Sequence, residues 1–365
     1  MKIGLTFTLR VGGALKCRSD DASLNWPAID GSDIGQNDAE EEFDAPETVN
    51  AIAEALASFG HEVELLGDGR SLIDRLVAGN LPELVFNIAE GRGVSRSREA
   101  WVPAVLELLG IPYTGSDPVT LGATLDKDFA KRLVGAAGVT VPRGVVVKGS
   151  SLEIVDDLGA LTLPVIVKPV FEGSSKGITA NSVVDDETQL HDVIARCHEA
   201  YKQPVLVEEY IEGDELTVGI VGNEPEVIGI MRVVPVAKRE RFVYGLEVKR
   251  DWRRQVRYEV PAKLERADEN AVRKAAMTAY RALGCRDVAR IDFRLSRGVP
   301  YFLEANPLPG LSPGAGDLVL LADGMGIGYR ELIGRIINAA MLRYGAGDRD
   351  HGDIDVLRPS VGTFS

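Results

Sequence analysis

The stretch ARIDFRLSRGVPYFLEANP, residues 289–307, alternates apolar and polar side chains on both sides of a short polar turn. Arg290 and Asp292 alternate with Ile291 and Phe293. Beyond Ser296-Arg297-Gly298, Glu304 and Asn306 alternate with Leu303 and Ala305. Successive side chains of a strand point to opposite faces. The pattern therefore predicts a regular hairpin over Arg290–Leu295 and Tyr301–Glu304, with Arg290, Asp292, Glu304 and Asn306 on one face and a core on the other. Two carboxylates and a carboxamide beside an arginine form an oxygen-rich set that suits Mg²⁺ holding polyphosphate rather than zinc. Read alone, the same stretch also fits a wet face of an edge hairpin.

Upstream, Pro164-Val165-Ile166-Val167-Lys168-Pro169 reads as a buried strand that ends on a lysine, followed by the small-residue loop Glu172-Gly173-Ser174-Ser175-Lys176-Gly177. Lys168 can reach a phosphate as a point charge, and the loop offers backbone N–H groups and hydroxyls. The GxxxxGK[ST] pattern is absent, and an ordinary exposed turn is the plainer reading of the loop by itself. Val205–Glu208 is an apolar strand running into an acidic connector. Backbone just past such a strand can hydrogen-bond an adenine, and Glu215 can accept from ribose hydroxyls; a charged inter-strand loop is the alternative. Residues 238–266 hold ten basic residues and five acids, a connector able to screen or hold anionic groups. The loop arginines Arg92, Arg96 and Arg98 are either solvated or hold a substrate carboxylate.

Residues 1–118 alternate strand and helix patterns and predict a small parallel sheet with helices on both faces. Lys2–Phe7, Glu62–Leu66 and Leu84–Asn87 read as its strands. Asp44-Ala45-Pro46-Glu47 looks like a helix start, with Asp44 as N-cap and Glu47 three residues later. Residues 16–45 form an acidic insertion in this unit. Ten acids and no Lys or Arg lie between residues 20 and 47, which carry −10 of the chain's −14. Few apolar residues and several turn formers predict a mobile surface segment there. Residues 119–200 form a second unit, residues 201–345 a third, and 346–365 a polar tail.

The chain has 365 residues, with 41 Lys or Arg against 55 Asp or Glu; 45% of its residues are hydrophobic and 26% charged. That is the range of a folded α/β protein of two or three small domains. The acidic balance argues against nucleic acid as a partner. No stretch is long and apolar enough for a membrane span. Three distant cysteines, Cys17, Cys197 and Cys285, argue against a disulfide framework and predict a cytoplasmic protein.

Taken together, GIPYTGSDP (110–118), LDKDFAKRL (125–133), LPVIVKPVFEGSSKG (163–177), VLVEEYIEGDELTVGIVG (205–222), ARIDFRL (289–295) and FLEANPLPGLSP (302–313) resemble, in order, the motifs of the ATP-grasp superfamily, D-alanine–D-alanine ligase-like branch. The resemblance implies three domains, with ATP between the central and C-terminal ones. Lys127 and Lys168 would contact the phosphates, Ser174 and Ser175 would lie in a loop closing over them, Glu208 and Tyr210 would sit at the adenine hinge, and Glu215 at the ribose. Asp292, Glu304 and Asn306 would hold two Mg²⁺, with Mn²⁺ as a substitute. Arg290 and the N–H of Gly310 would face an oxyanion. The implied chemistry is amide formation through an acyl phosphate, with small amino-acid-like substrates and a homodimer as a common assembly.

Two departures stand out. Glu90 occupies the place of the histidine that D-alanine–D-alanine ligases carry after the third strand, and Ala315 that of a substrate-ordering serine. Glu47, Glu90, Arg96 and Arg98 are the candidate substrate residues. A relative with different substrates is the first reading, D-alanine–D-alanine ligase proper the second. A small-molecule kinase and a non-catalytic nucleotide-binding protein are the readings from other classes.

Overall fold

A computed structural model describes residues 1–10, 38, 40–149, 161–237 and 241–345. Of the acidic insertion expected to be mobile, residues 16–37 and 39 lie outside the described residues, as does the tail expected to fray, 346–365.

Lys2–Phe7 (β1), Glu62–Leu65 (β2) and Leu84–Ile88 (β3) form a parallel sheet in the order β2-β1-β3. Parallel neighbours need crossovers, and the helices Pro46–Ala57 (α1) and Gly69–Val77 (α2) supply them, followed by Trp101–Leu108 (α3). The helix start differs from the sequence reading. Ala45 is the N-cap residue of α1, no side chain caps it, and Pro46 opens the helix. Asp44 is drawn instead into backbone pairing with the end of β1: its N–H donates to Thr8 (2.7 Å), and its carbonyl accepts from Arg10 (3.2 Å).

Pro118–Leu125 (α4) and Lys127–Ala136 (α5) follow end to end. Asp117 caps the first by accepting from the Thr120 N–H, and Asp126 caps the second by accepting from the Phe129 N–H. The second sheet contains Gly144–Val147 (β4), Val165–Pro169 (β5), Val183–Val184 (β6) and Val205–Glu209 (β7), ordered β4-β7-β5-β6 and covered by Glu187–Tyr201 (α6). The sequence reading assigns Val205–Glu208 to the third unit. Its strand instead pairs on both sides within the second sheet, so that sheet closes at residue 209.

The third sheet is antiparallel: Asp214–Val221 (β8), Glu226–Pro235 (β9), Val256–Glu259 (β10), Val288–Ser296 (β11) and Val299–Asn306 (β12), in the order β10-β9-β8-β11-β12. Short helices Leu246–Arg250 (α7) and Trp252–Gln255 (α8) bridge β9 to β10. Arg266–Leu283 (α9) and α5 cover the face carrying Val218, Ile220, Ile291 and Phe293. Asp317–Gly324 (α10) and Tyr329–Arg343 (α11) lie on the other side. There Leu318, Leu332 and Ile336 share one core with Ile3, Leu5 and Ile52 of the first sheet and α1. The last described helices thus close back on the first sheet.

One buried acid fastens that closure. Asp287 is fully buried in the left-handed region (φ 63°) and accepts from the Gly115 N–H (2.8 Å), Asn223 Nδ2 (2.7 Å) and Arg343 (2.7 Å). Asp287→Ala leaves Arg343 without its carboxylate and the Gly115 N–H without its acceptor, and should cost roughly 3–5 kcal/mol. Asp287→Asn keeps a residue at ease in that backbone region and should lose less. Thermal unfolding of the two variants side by side checks this; equal losses would refute a role for the charge.

Candidate active site

The hairpin forms in the expected register, Arg290 opposite Asn306 and Asp292 opposite Glu304, around a two-residue turn in which Arg297 and Gly298 both have positive φ. It is not regular, however. Beyond Asp292 the register shifts by one, because Leu303 is an extra residue. Without this bulge Phe302 would share the face of Glu304. With it, Phe302 enters the core against Phe293 (ring centroids 6.0 Å apart), and Leu303 turns toward the first of the two clefts described below.

On the polar face Arg290 is the hub. It lies 2.9 Å from Asp292, 3.4 Å from Glu304 and 3.0 Å from Asp317. Burial opposes its charge, but the three carboxylates outweigh burial and keep the guanidinium firmly protonated. Lys127 stands 3.4 Å from Glu304, Asn306 Nδ2 donates to Glu304 (3.3 Å), and Thr217 donates to Asp292 (2.9 Å). Burial pushes the Asp292 carboxyl up to about 6 against the pull of Arg290. Burial acts on Glu304 too, yet Lys127, Arg290 and Lys249 hold it well below the ordinary range. Two neighbouring carboxyls are thus set apart by their surroundings.

Two clefts meet at Glu304. The first is bounded by Lys168, Ser175, Tyr210, Glu215, Lys249 and Asp292. Arg294 shapes its far end, 2.8 Å from Glu215 and 5.6 Å from the Tyr210 ring centroid. Glu208 lines this cleft beside Tyr210, with its carboxylate spent within the chain. It is 1% exposed and accepts from both Lys131 and Lys168. Burial lowers the Lys131 ammonium to about 7, with Glu208 opposing. The N–H groups of Glu209 and Tyr210 are also engaged, donating to Arg143 and Pro164, so the first hinge residue past these bonds is Ile211, which lines the pocket.

The second cleft is bounded by Asp44, Glu90, Glu99, Lys127, Arg290 and Gly310, with Asn306 and Ser174 also on its walls. Its roof is the loop at 172–177, where Ser174 and Ser175 are both left-handed (φ 48° and 60°), a conformation that needs outside support. Glu42 gives that support. Its carboxylate accepts from the Gly173 N–H, from Arg98 (2.9 Å) and from Lys176 (3.2 Å). Ser175 also donates to the Tyr244 carbonyl (2.9 Å). Burial works against the Glu42 charge, but Arg98 and Lys176 outweigh it and hold the carboxyl below its usual range.

Several sequence expectations need correction. Arg98 is not a loop arginine open to substrate: it is 2% exposed and spends its guanidinium on Glu42 and the Phe171 carbonyl. Arg96 is exposed and ion-paired to Asp126 at 3.0 Å, and Glu47 is exposed on α1 outside both clefts. Glu90 does line the second cleft. The end of the acidic segment is not surface: Glu42 is buried, and Asp38 accepts from Tyr201. Sequence reasoning misses Glu42, Glu99, Lys131, Lys249, Arg294 and Asp317. Lys249 had a signal in its basic connector; Glu42 and Arg98, 56 residues apart, had none.

Residues 140–338 match the family described as "D-ala D-ala ligase C-terminus". A D-alanine–D-alanine ligase of Geotalea uraniireducens (strain Rf4) is 33% identical over 298 residues, 80% of this chain and 89% of that protein. An uncharacterized protein of Sinorhizobium fredii (strain NBRC 101917 / NGR234) is 35% identical over 303 residues, covering 81% and 88%. The D-alanine–D-alanine ligase of Bacillus anthracis solved in complex with ATP superposes with a TM-score of 0.69 over 95% of this chain and 100% of that one. At 22% identity, that likeness bears on the fold.

The second cleft carries a pH signature. Burial raises the Glu99 carboxyl to about 8, with Arg98 and Lys127 opposing and Glu42 and Glu172 adding to the rise. Glu90 lies well above its ordinary range, through burial and then the nearby Glu99 and Glu42. Below the ordinary carboxylate value of about 4, folded and unfolded chains both keep these protons, and the site has no penalty. From there to about 8 the unfolded chain releases protons that the folded one retains, so stability falls as pH rises. Glu99→Gln should raise the thermal midpoint by a few degrees at pH 8 and leave it unchanged near pH 4. An equal effect at both values would exclude the charge as the cause.

Proposed function

We propose that this chain, which belongs to the D-alanine–D-alanine ligase family of ATP-dependent carbon–nitrogen ligases, joins the carboxylate of one amino-acid-like molecule to the amine of another. The observation that carries the reading is Arg290, buried at the junction of the two clefts and touching three carboxylates, Asp292, Glu304 and Asp317. Reacting groups delivered from the two clefts meet beside this cation.

In the first step an oxygen of the substrate carboxylate bonds to the γ-phosphorus of ATP, the β–γ bridging bond breaks, and ADP leaves with the electron pair. Lys127 and Lys249 supply positive charge along this path, and the Ser174–Ser175 loop covers it. In the second step the amine attacks the acyl carbon, the bond to phosphate breaks, phosphate departs and the amine loses its proton. Arg290 and the Gly310 N–H stabilise the oxyanion formed between those events. Lys168, with Glu208 as its fixed counter-ion, adds charge to the floor of the nucleotide cleft.

Mg²⁺ fits this site by donor chemistry. Asp292, Glu304 and Asn306 would hold it; among the described residues no group of three or more His, Cys, Asp or Glu side chains forms such a set by itself. Those oxygen donors suit Mg²⁺, with Mn²⁺ as a substitute, and two ions are expected. A bound ion would polarise the transferred phosphoryl group.

The test is ADP release with Mg²⁺-ATP across paired amino acids, with mass spectrometry of products. ADP that requires both substrates, with a product lighter by one water than their sum, is the expected result. A phosphorylated product from one substrate would replace the ligase with a kinase. Asp292→Asn and Glu304→Gln should each lower kcat by about 100-fold or more, and chelation of Mg²⁺ should abolish turnover. Full turnover in either variant would overturn the metal assignment.

A further inference from the structure

The carboxyls of the second cleft divide into two groups. Glu42 has Arg98 and Lys176, Glu172 has Lys176 and Gln203, Glu304 has Lys127 and Arg290, and Glu41 has Arg250 at 2.9 Å. Among the described residues Glu99 and Glu90 have no ion pair or hydrogen bond to their carboxyls, and Asp44 has only the Thr8 N–H and the more distant Arg10. Glu99 is 7% exposed, lines the cleft, and among the described residues its carboxyl has neither a hydrogen bond nor an ion pair. Arg98 next to it in sequence directs its guanidinium to Glu42 and Phe171 instead. Glu90 lines the same wall, also without a hydrogen bond among the described residues. Asp44 Oδ2 is buried with no hydrogen-bond partner.

Buried polar groups are ordinarily satisfied, and an unpartnered buried carboxyl is a costly feature for a fold to keep. The cations bounding the cleft act on these carboxyls only from a distance and spend their hydrogen bonds elsewhere. Arg10 donates to the Phe43 and Glu41 carbonyls, Lys127 to the Glu172 carbonyl, and Arg290 to its three carboxylates. The cleft therefore has spare capacity for positive charge and little for a second carboxylate. A monoamino acid brings one ammonium, and the reacting amine must be neutral when it attacks. Its binding would leave these carboxyls without a counter-charge.

We infer that the amine substrate carries at least one further positive charge, as a diamine or a diamino acid does, and that Glu99, Glu90 and Asp44 receive it. The inference rests on the ligase reading for the role of the cleft, but binding can be measured without turnover. In this arrangement Glu99 is the deepest contact, Glu90 and Asp44 flank the bound cation, and the second amine points toward Arg290 and Lys127.

Isothermal titration of the full-length chain with putrescine, ornithine and alanine tests this directly. Wild type should bind ornithine and putrescine roughly 10- to 100-fold more tightly than alanine, the span expected for a hydrogen-bonded charge contact. Glu99→Gln, and independently Glu90→Gln, should erase most of that preference. Binding of alanine as tight as that of ornithine in wild type would overturn the inference, as would an undiminished preference in both variants. ADP release with the same compounds keeps the two readings apart. Ligated product with monoamino acids but none with diamino acids or diamines would leave the ligase standing and sink the inference. Tight, Glu99-dependent ornithine binding without ADP release from any pair would support the cation site and sink the ligase.

Discussion

Glu42 holds this site together. Its buried carboxylate meets Arg98 from the first unit, and Lys176 and the Gly173 N–H from the loop of the second. The same loop continues through Glu172, whose carbonyl accepts from Lys127, and Lys127 faces Glu304 of the third. One chain of polar contacts thus links Glu42 and Arg98 through the loop at 172–177 and Lys127 to the hairpin. A buried ion pair is weak as a source of stability, because removing both charges from water offsets much of their attraction. It is strong as a constraint. With Glu42 gone, Arg98 is a buried cation whose nearest other carboxylate, Glu172, is 3.8 Å away, and two left-handed serines lose the contact that holds their loop.

The constraint explains why the loop and the hairpin can be described as one site although 115 or more residues separate Gly177 from Asp292. Backbone sheets place each of them only roughly. The charges then select one relative arrangement, since sliding either element would leave a buried ion unpaired. The hairpin contributes its own precision through the Leu303 bulge. A regular ladder must put Phe302 and Glu304 on the same face; one extra residue lets Phe302 and Ala305 enter the core while Glu304 and Asn306 stay beside Asp292.

How much of this is legible in the sequence follows from the range of each signal. Alternation and turn chemistry act over a few residues, so the hairpin, its register and the four polar side chains can be read directly. The strand–helix alternation of the first unit reads equally well. The bulge cannot be read, because Leu303 has the same apolar character as the core residues around it. Asp44 fails as a cap because its backbone has a better use beside β1, a partner 36 residues away. The strand at 205–209 is recognisable as a strand, but its sheet is not, since pairing partners leave no local trace. Arg98 looks solvated among loop arginines because the carboxylate that buries it lies in a segment that itself looks like acidic surface.

The two halves of the site differ in how their charges are balanced. Toward the first cleft, proposed above for the nucleotide, Lys168, Lys131 and Arg294 each stand against a carboxylate of the chain, and Lys249 and Lys127 lean on Asp292 and Glu304. Such a surface is set before ligand arrives, as electrostatic stabilisation of a fixed phosphoryl transfer requires. Toward the other cleft, burial holds the Glu99 and Glu90 carboxyls above their ordinary range, and the nearby Arg98 does not outweigh it. The ligand must then bring the missing charge, and its binding drives their ionisation. A family can keep the first half constant, because ATP is constant, and alter partners by changing only the second. The glutamate at 90 in the histidine's place lies in that half, with Asp44 and Glu99 as its neighbours around the same cleft.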